Sequence, residues 1–247
     1  MGVKDLFSKH AADYASFRPQ YPPELIRHLA SLVNYRGVAW DCAAGNGQLA
    51  VQLERFFNLV CASDISAAQI KEAPARGGIH YSVQPAESTD YPDHFFDLIT
   101  VGQAIHWLNR DAFYKEAKRV LRPGGVLALI GYGLCRVNAE IDPWIDHFYH
   151  EVVGAYWEPE RKIIDSGYAM LEFPFENIAV PHFGMSAMWS ADQFLKYLGT
   201  WSACKKYREE VGHDPVGANE NSLRSHWPAG SVLEVNFPLL LRVGRAV

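Results

Sequence analysis

The segment Asp41-Cys-Ala-Ala-Gly-Asn-Gly-Gln48 joins a carboxylate to two closely spaced glycines. Glycines permit a tight turn and let a ligand approach the backbone beside a helix N-terminus, which suits a nucleotide or nucleoside. Gly45-x-Gly47-x-x-Ala50 satisfies the spacing of a dinucleotide-binding turn. Asp64 falls where such a motif expects a ribose-binding carboxylate, about 20 residues on. Charge separates the options. A carboxylate at Asp41 would repel a bound pyrophosphate, whereas it could attract an amino group such as that of a methionine moiety. This favours a cationic, phosphate-free ligand. The carboxylate of Asp64, with two acceptor oxygens, can take both ribose hydroxyls.

A second set of residues could act on an acceptor. His106 and Trp107 follow one apolar run, Tyr132 follows another, and Tyr156, Trp157 and Trp201 form an aromatic group. If the acceptor is a hydroxyl or amine, His106 could serve as general base, since an unperturbed imidazole is largely neutral near pH 7. The alternative for His106 is a structural histidine bonded to backbone. Arg136, Arg161 and Arg208 are equal candidates for pairing with an anionic acceptor through bidentate bonds. His147 and His150 share a helical face, but no well-placed third ligand accompanies them, and no metal is expected.

These residues need a frame. Gly37 to Cys42, Leu59 to Ser63, Ile79 to Val83, Phe95 to Val101 and Gly125 to Gly131 read as strands, with helices at Gln48 to Phe57, Ser66 to about Ala73 and Asp111 to Leu121 between them. Strands alternating with helices imply a parallel sheet covered on both faces. Before the first strand, residues 4 to 15 suit a short amphipathic helix, and Pro22 and Pro23 can open another over Glu24 to Val33. After Tyr132 the pattern predicts an aromatic-rich helix over Ile141 to Tyr156, a strand over Asn177 to Phe183, a capped helix over Ser190 to Tyr197 and a final strand over Val232 to Val243.

The chain has 247 residues, 49% hydrophobic and 21% charged, which is ordinary globular usage and allows one large α/β domain. A formal net charge of −5 supplies no basic field for a phosphate backbone, so a nucleic-acid partner is not expected. The four cysteines lack C-x-x-C spacing and read as buried free thiols. With no secretory-signal pattern and no apolar run of spanning length, the expectation is a cytoplasmic protein with no membrane partner.

The chain resembles the class I methyltransferases, particularly the type 11 group that includes trans-aconitate methyltransferase-like proteins. The residues that carry the likeness are Tyr14-x-x-x-Arg18-Pro-x-Tyr21-Pro22, the loop from Asp41 to Gln48, Asp64, Ala86-Glu87, Gln103-Ala104-x-His106-Trp107 and Arg119-Val-Leu-Arg-Pro-Gly-Gly125. Weaker likeness continues through Trp201-Ser202 and Phe237-Pro-Leu-Leu-Leu-Arg-Val-Gly244.

The resemblance implies a Rossmann-like α/β fold. Its seven-stranded, mostly parallel sheet would carry helices on both faces and an antiparallel last strand. It implies a single domain in which residues 1–36 cover the cofactor site, 37–131 form the cofactor-binding core and 132–247 provide substrate-side cap helices and the last strands. The implied cofactor is S-adenosyl-L-methionine and the implied reaction is methyl transfer to a small-molecule acceptor, a carboxylic acid among the candidates.

Residue by residue, Asp41, Gly45 and Gly47 would shape the methionine end of the site and Asp64 would bind the ribose, with Ala43, Asn46, Gln48 and Ile65 as further cofactor contacts. Ala86 and Glu87 would lie beside adenine, and Gln103 and Ala104 would face the methionine portion. Tyr14 and Arg18 would fold over the site, Arg18 pairing with the cofactor carboxylate. The chain departs from the family pattern at Ala43, where many relatives have Gly, and at Pro85, where an acidic residue often reads the adenine amine. Two other readings stay open: an NAD(P)-dependent oxidoreductase, supported by the Gly-x-Gly-x-x-Ala spacing alone, and a non-catalytic binding module on the same fold.

Overall fold

The computed structural model describes residues 17–246. The helix expected over residues 4 to 15, and with it Tyr14, lies outside the described residues. Helix α1 (Pro23–Ser31) starts as the two prolines predict, with extended Pro22 at its cap and Leu25, Ile26, Leu29 and Ala30 buried.

The strands β1 (Val38–Cys42), β2 (Leu59–Asp64), β3 (Ile79–Val83), β4 (Phe96–Gly102) and β5 (Leu121–Tyr132) pair in parallel. They alternate with helices α2 (Gln48–Leu53), α3 (Ala67–Lys71) and α4 (Arg110–Val120). Near the C-terminus β9 (Leu239–Arg245) inserts antiparallel beside β5, and the two-residue β6 (Glu176–Asn177) completes the sheet on its far side. The order is β3-β2-β1-β4-β5-β9-β6. This is the expected seven-stranded Rossmann-like sheet with an antiparallel last strand.

Strand periodicity divides the interior into two cores. Ala39, Val60, Leu98 and Val126 form one row across paired strands and pack with α1 and α2. Their neighbours Trp40, Cys61, Ile99 and Leu127 form the next row and pack on the opposite face with α4. Both rows are apolar because parallel strands covered on both faces leave no solvent side. The arginines of the Arg119 to Gly125 segment brace this frame. Arg122 pairs with Asp97 at 2.7 Å, and Asp97 accepts from the backbone N–H groups of Gly37 and Val38, which fixes the entry of β1.

The C-terminal part departs from expectation in three places. The aromatic helix expected over Ile141 to Tyr156 is broken into α5 (Asp142–His147), a π-turn at Phe148–Val152 and a 3-10 turn at Gly154–Tyr156. The strand expected over Asn177 to Phe183 pairs only at Glu176–Asn177. The single last strand becomes β8 (Val232–Asn236) and β9, because Pro238 lies between them and cannot donate to a ladder. β8 instead pairs antiparallel with β7 (Ser186–Ser190) in a separate two-stranded sheet.

Short helix α6 (Lys162–Asp165) precedes this part, and α7 (Ala191–Gly199), α8 (Ser202–Val211) and α9 (Pro215–His226) complete the cover. Helix α7 carries the predicted Ser190 cap, reciprocated by Gln193. Among the described residues no helix is long and apolar enough to cross a membrane.

Candidate active site

The chain order reverses at β1, which has β2 on one side and β4 on the other. Ligands of open α/β sheets bind beyond the strand ends at such a point. The loop leaving β1 turns through three left-handed residues, Ala43 at φ 53°, Gly45 at 55° and Gly47 at 82°. Two of them are glycine because an L side chain is strained there, and Ala43 bears that strain. At Gly47 a Cβ would also lie 2.6 Å from the Tyr81 hydroxyl of β3, so the turn tolerates no side chain at this position.

Asp41 is buried at the tip of β1. Its Oδ2 accepts from the Ala50 N–H at 2.9 Å and its Oδ1 from the Thr100 hydroxyl at 3.2 Å. Burial pushes its pKa up to about 7, above what these bonds offset. Asp64 is the anchor of the turn: Oδ2 accepts from Gly45 N–H at 2.9 Å and Oδ1 from Ser66 N–H at 2.8 Å.

A cavity opens over this loop. Asp41, Ala43, Gly45, Asn46 and Gln48 line it, with Arg18, Gln103 and Tyr132 on the other side. Of the expected cofactor residues of the loop, all but Gly47 are thus brought together with Arg18 and Gln103. Arg18 donates to the Tyr132 hydroxyl at 2.9 Å and to the Thr200 carbonyl at 3.2 Å, and lies over the Tyr197 ring.

A second cavity shares Arg18, Gln103 and Tyr132 with the first. His106, Trp107, Trp157 and Trp201, four of the residues expected on the acceptor side, line it together with Arg161 and Tyr197. Among the described residues no Asp or Glu lines it. His106 sits in a 3-10 turn (Ile105–Trp107) and is buried, its Nδ1 without a partner among the described residues. Burial first, then Arg161 and Arg18, lower its pKa to about 3, so the ring is neutral and weakly basic.

Other expected residues fall outside both cavities. Asp64 and Ile65 stand at the end of β2, Ile65 exposed. Buried Ala86 follows β3, Glu87 accepts from the Asn109 N–H at 2.9 Å, and buried Ala104 precedes the His106 turn. Tyr156 is turned away from the acceptor-side cavity, its ring 4.8 Å from that of Tyr207. The reason is the break in the aromatic helix, which ends the 3-10 turn at Tyr156 and leaves Trp157 to face inward.

Tyr197 and Ser202 were not legible as lining residues, since each lies in a helix whose periodicity reads simply as core. Arg161 had a signal, its charge, but shared it with Arg136 and Arg208. The structure separates the three. All three pair with a carboxylate, Arg136 with Asp146, Arg208 with Asp214 and Arg161 with Asp165, but Arg161 alone of them lines the second cavity.

The donor set of the first cavity fits an aminoacyl nucleoside. A buried carboxylate faces a potential ammonium, a guanidinium faces a potential carboxylate, and glycines keep the backbone open. A model of the methyltransferase domain family matches residues 40–129. A Dictyostelium discoideum protein that carries a provisional methyltransferase name is 32% identical, the match covering 96% of this chain and 93% of that one. A solved Anaeromyxobacter dehalogenans structure, provisionally described as a type II methyltransferase, is 40% identical, with a TM-score of 0.86 over 94% of this chain and 99% of that one. The same fold at 18% identity and a TM-score of 0.50, covering 90% of this chain and 80% of that one, occurs in the [4+2]-cyclase SpnF. With two relatives above 30% identity matched over nearly their whole lengths, the chain belongs to the class I, S-adenosylmethionine-dependent methyltransferase family.

Proposed function

We propose that this chain methylates the carboxylate oxygen of a small organic acid, using the first cavity for S-adenosylmethionine and the second for the acceptor. One observation carries the reading: the second cavity adjoins the first across Arg18, Gln103 and Tyr132 and, among the described residues, holds two guanidiniums and no acidic side chain. An anion is the partner that this charge selects.

The aromatic lining supports the same choice. A cage of aromatic faces can bind a cationic amine. Here Arg161 covers the Trp157 face at 4.7 Å and Arg18 covers that of Tyr197 at 5.6 Å, so the protein's own cations already use those faces.

When bound, S-adenosylmethionine supplies an electrophilic methyl group on a sulfonium. Asp41 would face its ammonium, Asp64 would accept from the ribose hydroxyls, and Ile65, Ala86 and Glu87 would flank the base. Gln103 holds the Tyr132 backbone at the junction of the two cavities. Arg18 and Arg161 would orient the acceptor for in-line attack, and that positioning supplies much of the rate gain.

A carboxylate needs no deprotonation. This agrees with a His106 ring too weakly basic to drive proton removal near pH 7, and we assign it as a neutral hydrogen-bond partner of the acceptor. Trp107 and Trp201 would wall the acceptor. The segments flanking the core would act as covers of one domain, not as separate units.

Incubation with methyl-labelled S-adenosylmethionine and a panel of carboxylic acids, amines and phenols tests the reading. Label in a base-labile methyl ester is expected; label only in base-stable ethers or N-methyl products overturns it.

A further inference from the structure

Arg161 is held more firmly than a side chain that merely borders a cavity. Its guanidinium lies 4.7 Å from the Trp157 ring centroid and 5.6 Å from that of Tyr149. Its Nε donates to the Tyr149 hydroxyl at 3.0 Å and stands 3.4 Å from Asp165 Oδ1. The Tyr149 hydroxyl in turn donates to the same Asp165 oxygen at 2.7 Å. Tyr149 comes from the π-turn, Trp157 follows the 3-10 turn, and Asp165 ends α6, so the break in the aromatic helix assembles this support. The arrangement fixes one edge and one face of the guanidinium. Neither Nη group has a hydrogen-bond partner among the described residues, and the side chain is only 17% exposed.

A planar fork with its Nε edge anchored and its Nη edge open is the geometry that takes a carboxylate or another planar anion. Lysine, with a single rotating ammonium, could not be braced this way. The walls beside it, Trp107 and Trp201, are flat and apolar. Such walls favour a flat body on the acceptor through ring-to-ring contact.

We propose that Arg161 is the specificity-determining residue for the acceptor and receives the carboxylate of an aryl carboxylic acid, and that Tyr149 and Asp165 are positioning residues that hold its fork. This rests on reading the second cavity as the acceptor site. An outer groove also reaches Arg161 and Trp157, so that both residues border it as well as the second cavity.

The test is a calorimetric titration of the full chain, saturated with S-adenosylhomocysteine, with benzoate, benzamide and cyclohexanecarboxylate. Benzoate is expected to bind, with benzamide and cyclohexanecarboxylate weaker. Arg161→Ala is expected to weaken benzoate by about tenfold or more, the loss of a charged hydrogen-bonding pair. Added guanidinium at millimolar concentration should restore part of it. Arg161→Lys should recover little, and Tyr149→Phe should weaken benzoate several-fold with benzamide unchanged.

S-adenosylhomocysteine affinity should be the same in every variant, which separates loss of the anion receptor from loss of the fold. Benzoate affinity that is equal in the parent chain and Arg161→Ala overturns the assignment, as does absence of benzoate binding to the parent. Equal affinity for benzoate and cyclohexanecarboxylate overturns the aryl part. If S-adenosylhomocysteine does not bind at all, the reading of the two cavities fails instead, so the two failures are distinguishable.

Discussion

The Gln103 carboxamide closes a two-hydrogen-bond ring with the backbone of Tyr132: Nε2 donates to the Tyr132 carbonyl at 3.1 Å, and Oε1 accepts from the Tyr132 N–H at 2.8 Å. Gln103 adopts φ 53°, a left-handed conformation that this ring repays by tying the end of β4 to the end of β5. Both residues line both cavities, so the tie sets the relation of the donor and acceptor sites.

Substitution of Gln103 should therefore disturb catalysis more than folding. Gln103→Glu turns a donor into an acceptor facing a carbonyl and is expected to cost about 1–3 kcal/mol of stability. Turnover should fall more than ten-fold, because misplacement of about 1 Å at the junction costs up to ~100-fold. Parallel thermal melts and initial rates check this; an unchanged rate with lowered stability would assign the ring to the fold alone.

Asp41 makes cofactor affinity depend on pH. Its pKa of about 7 lies above the unfolded value, so its contribution to stability of the unliganded protein is full below about pH 4 and is lost as pH rises through 7. A bound ammonium reverses that preference by favouring the carboxylate, so binding releases a proton below pH 7. Affinity for S-adenosylmethionine is expected to rise several-fold from about pH 5.5 to 7. Titrations in buffers of different ionisation enthalpy detect the proton. Asp41→Asn should remove both the slope and the proton, and an unchanged slope would place the titrating group elsewhere.

The loop gives two substitutions of opposite sign. Gly47→Ala combines φ 82° with a contact of 2.6 Å to Tyr81 and should cost at least about 1–2 kcal/mol. Ala43→Gly relieves a residue at φ 53° and should be neutral to about 1 kcal/mol stabilising, the gain offset in part by the entropy of glycine in the unfolded chain. Chemical denaturation of the two variants beside the parent measures both.

With His106 neutral down to about pH 3, kcat/KM should show no inflection from it between about pH 6 and 8. His106→Asn should keep turnover within about tenfold, whereas removal of a true general base costs about 10²–10⁴-fold. A loss in that larger range would restore the base assignment.

The cofactor half of this arrangement was legible in the sequence because it is local. Strand, turn and helix from Val38 to Leu53 follow from apolar periodicity and glycines, and Ser66 and Ser190 cap the helices that they announce. The acceptor half was legible only as single residues, His106, Trp107, Trp157 and Trp201, and not as an arrangement. Arg18, His106, Trp157 and Arg161 meet only through the tertiary fold, and no spacing connects them. Helix α9 escaped notice because it buries little beyond Pro215, Val216 and Leu223, and the continuous apolar character around Pro238 concealed that β8 and β9 belong to different sheets.

The role of the first cavity is tested most directly by equilibrium titration of S-adenosylmethionine and of NAD into the parent chain and Asp64→Ala. S-adenosylmethionine should bind the parent and NAD should not, and Asp64→Ala should weaken it by about tenfold or more through loss of the ribose acceptors. Binding of NAD without S-adenosylmethionine, or an affinity indifferent to Asp64, would contradict the assignment.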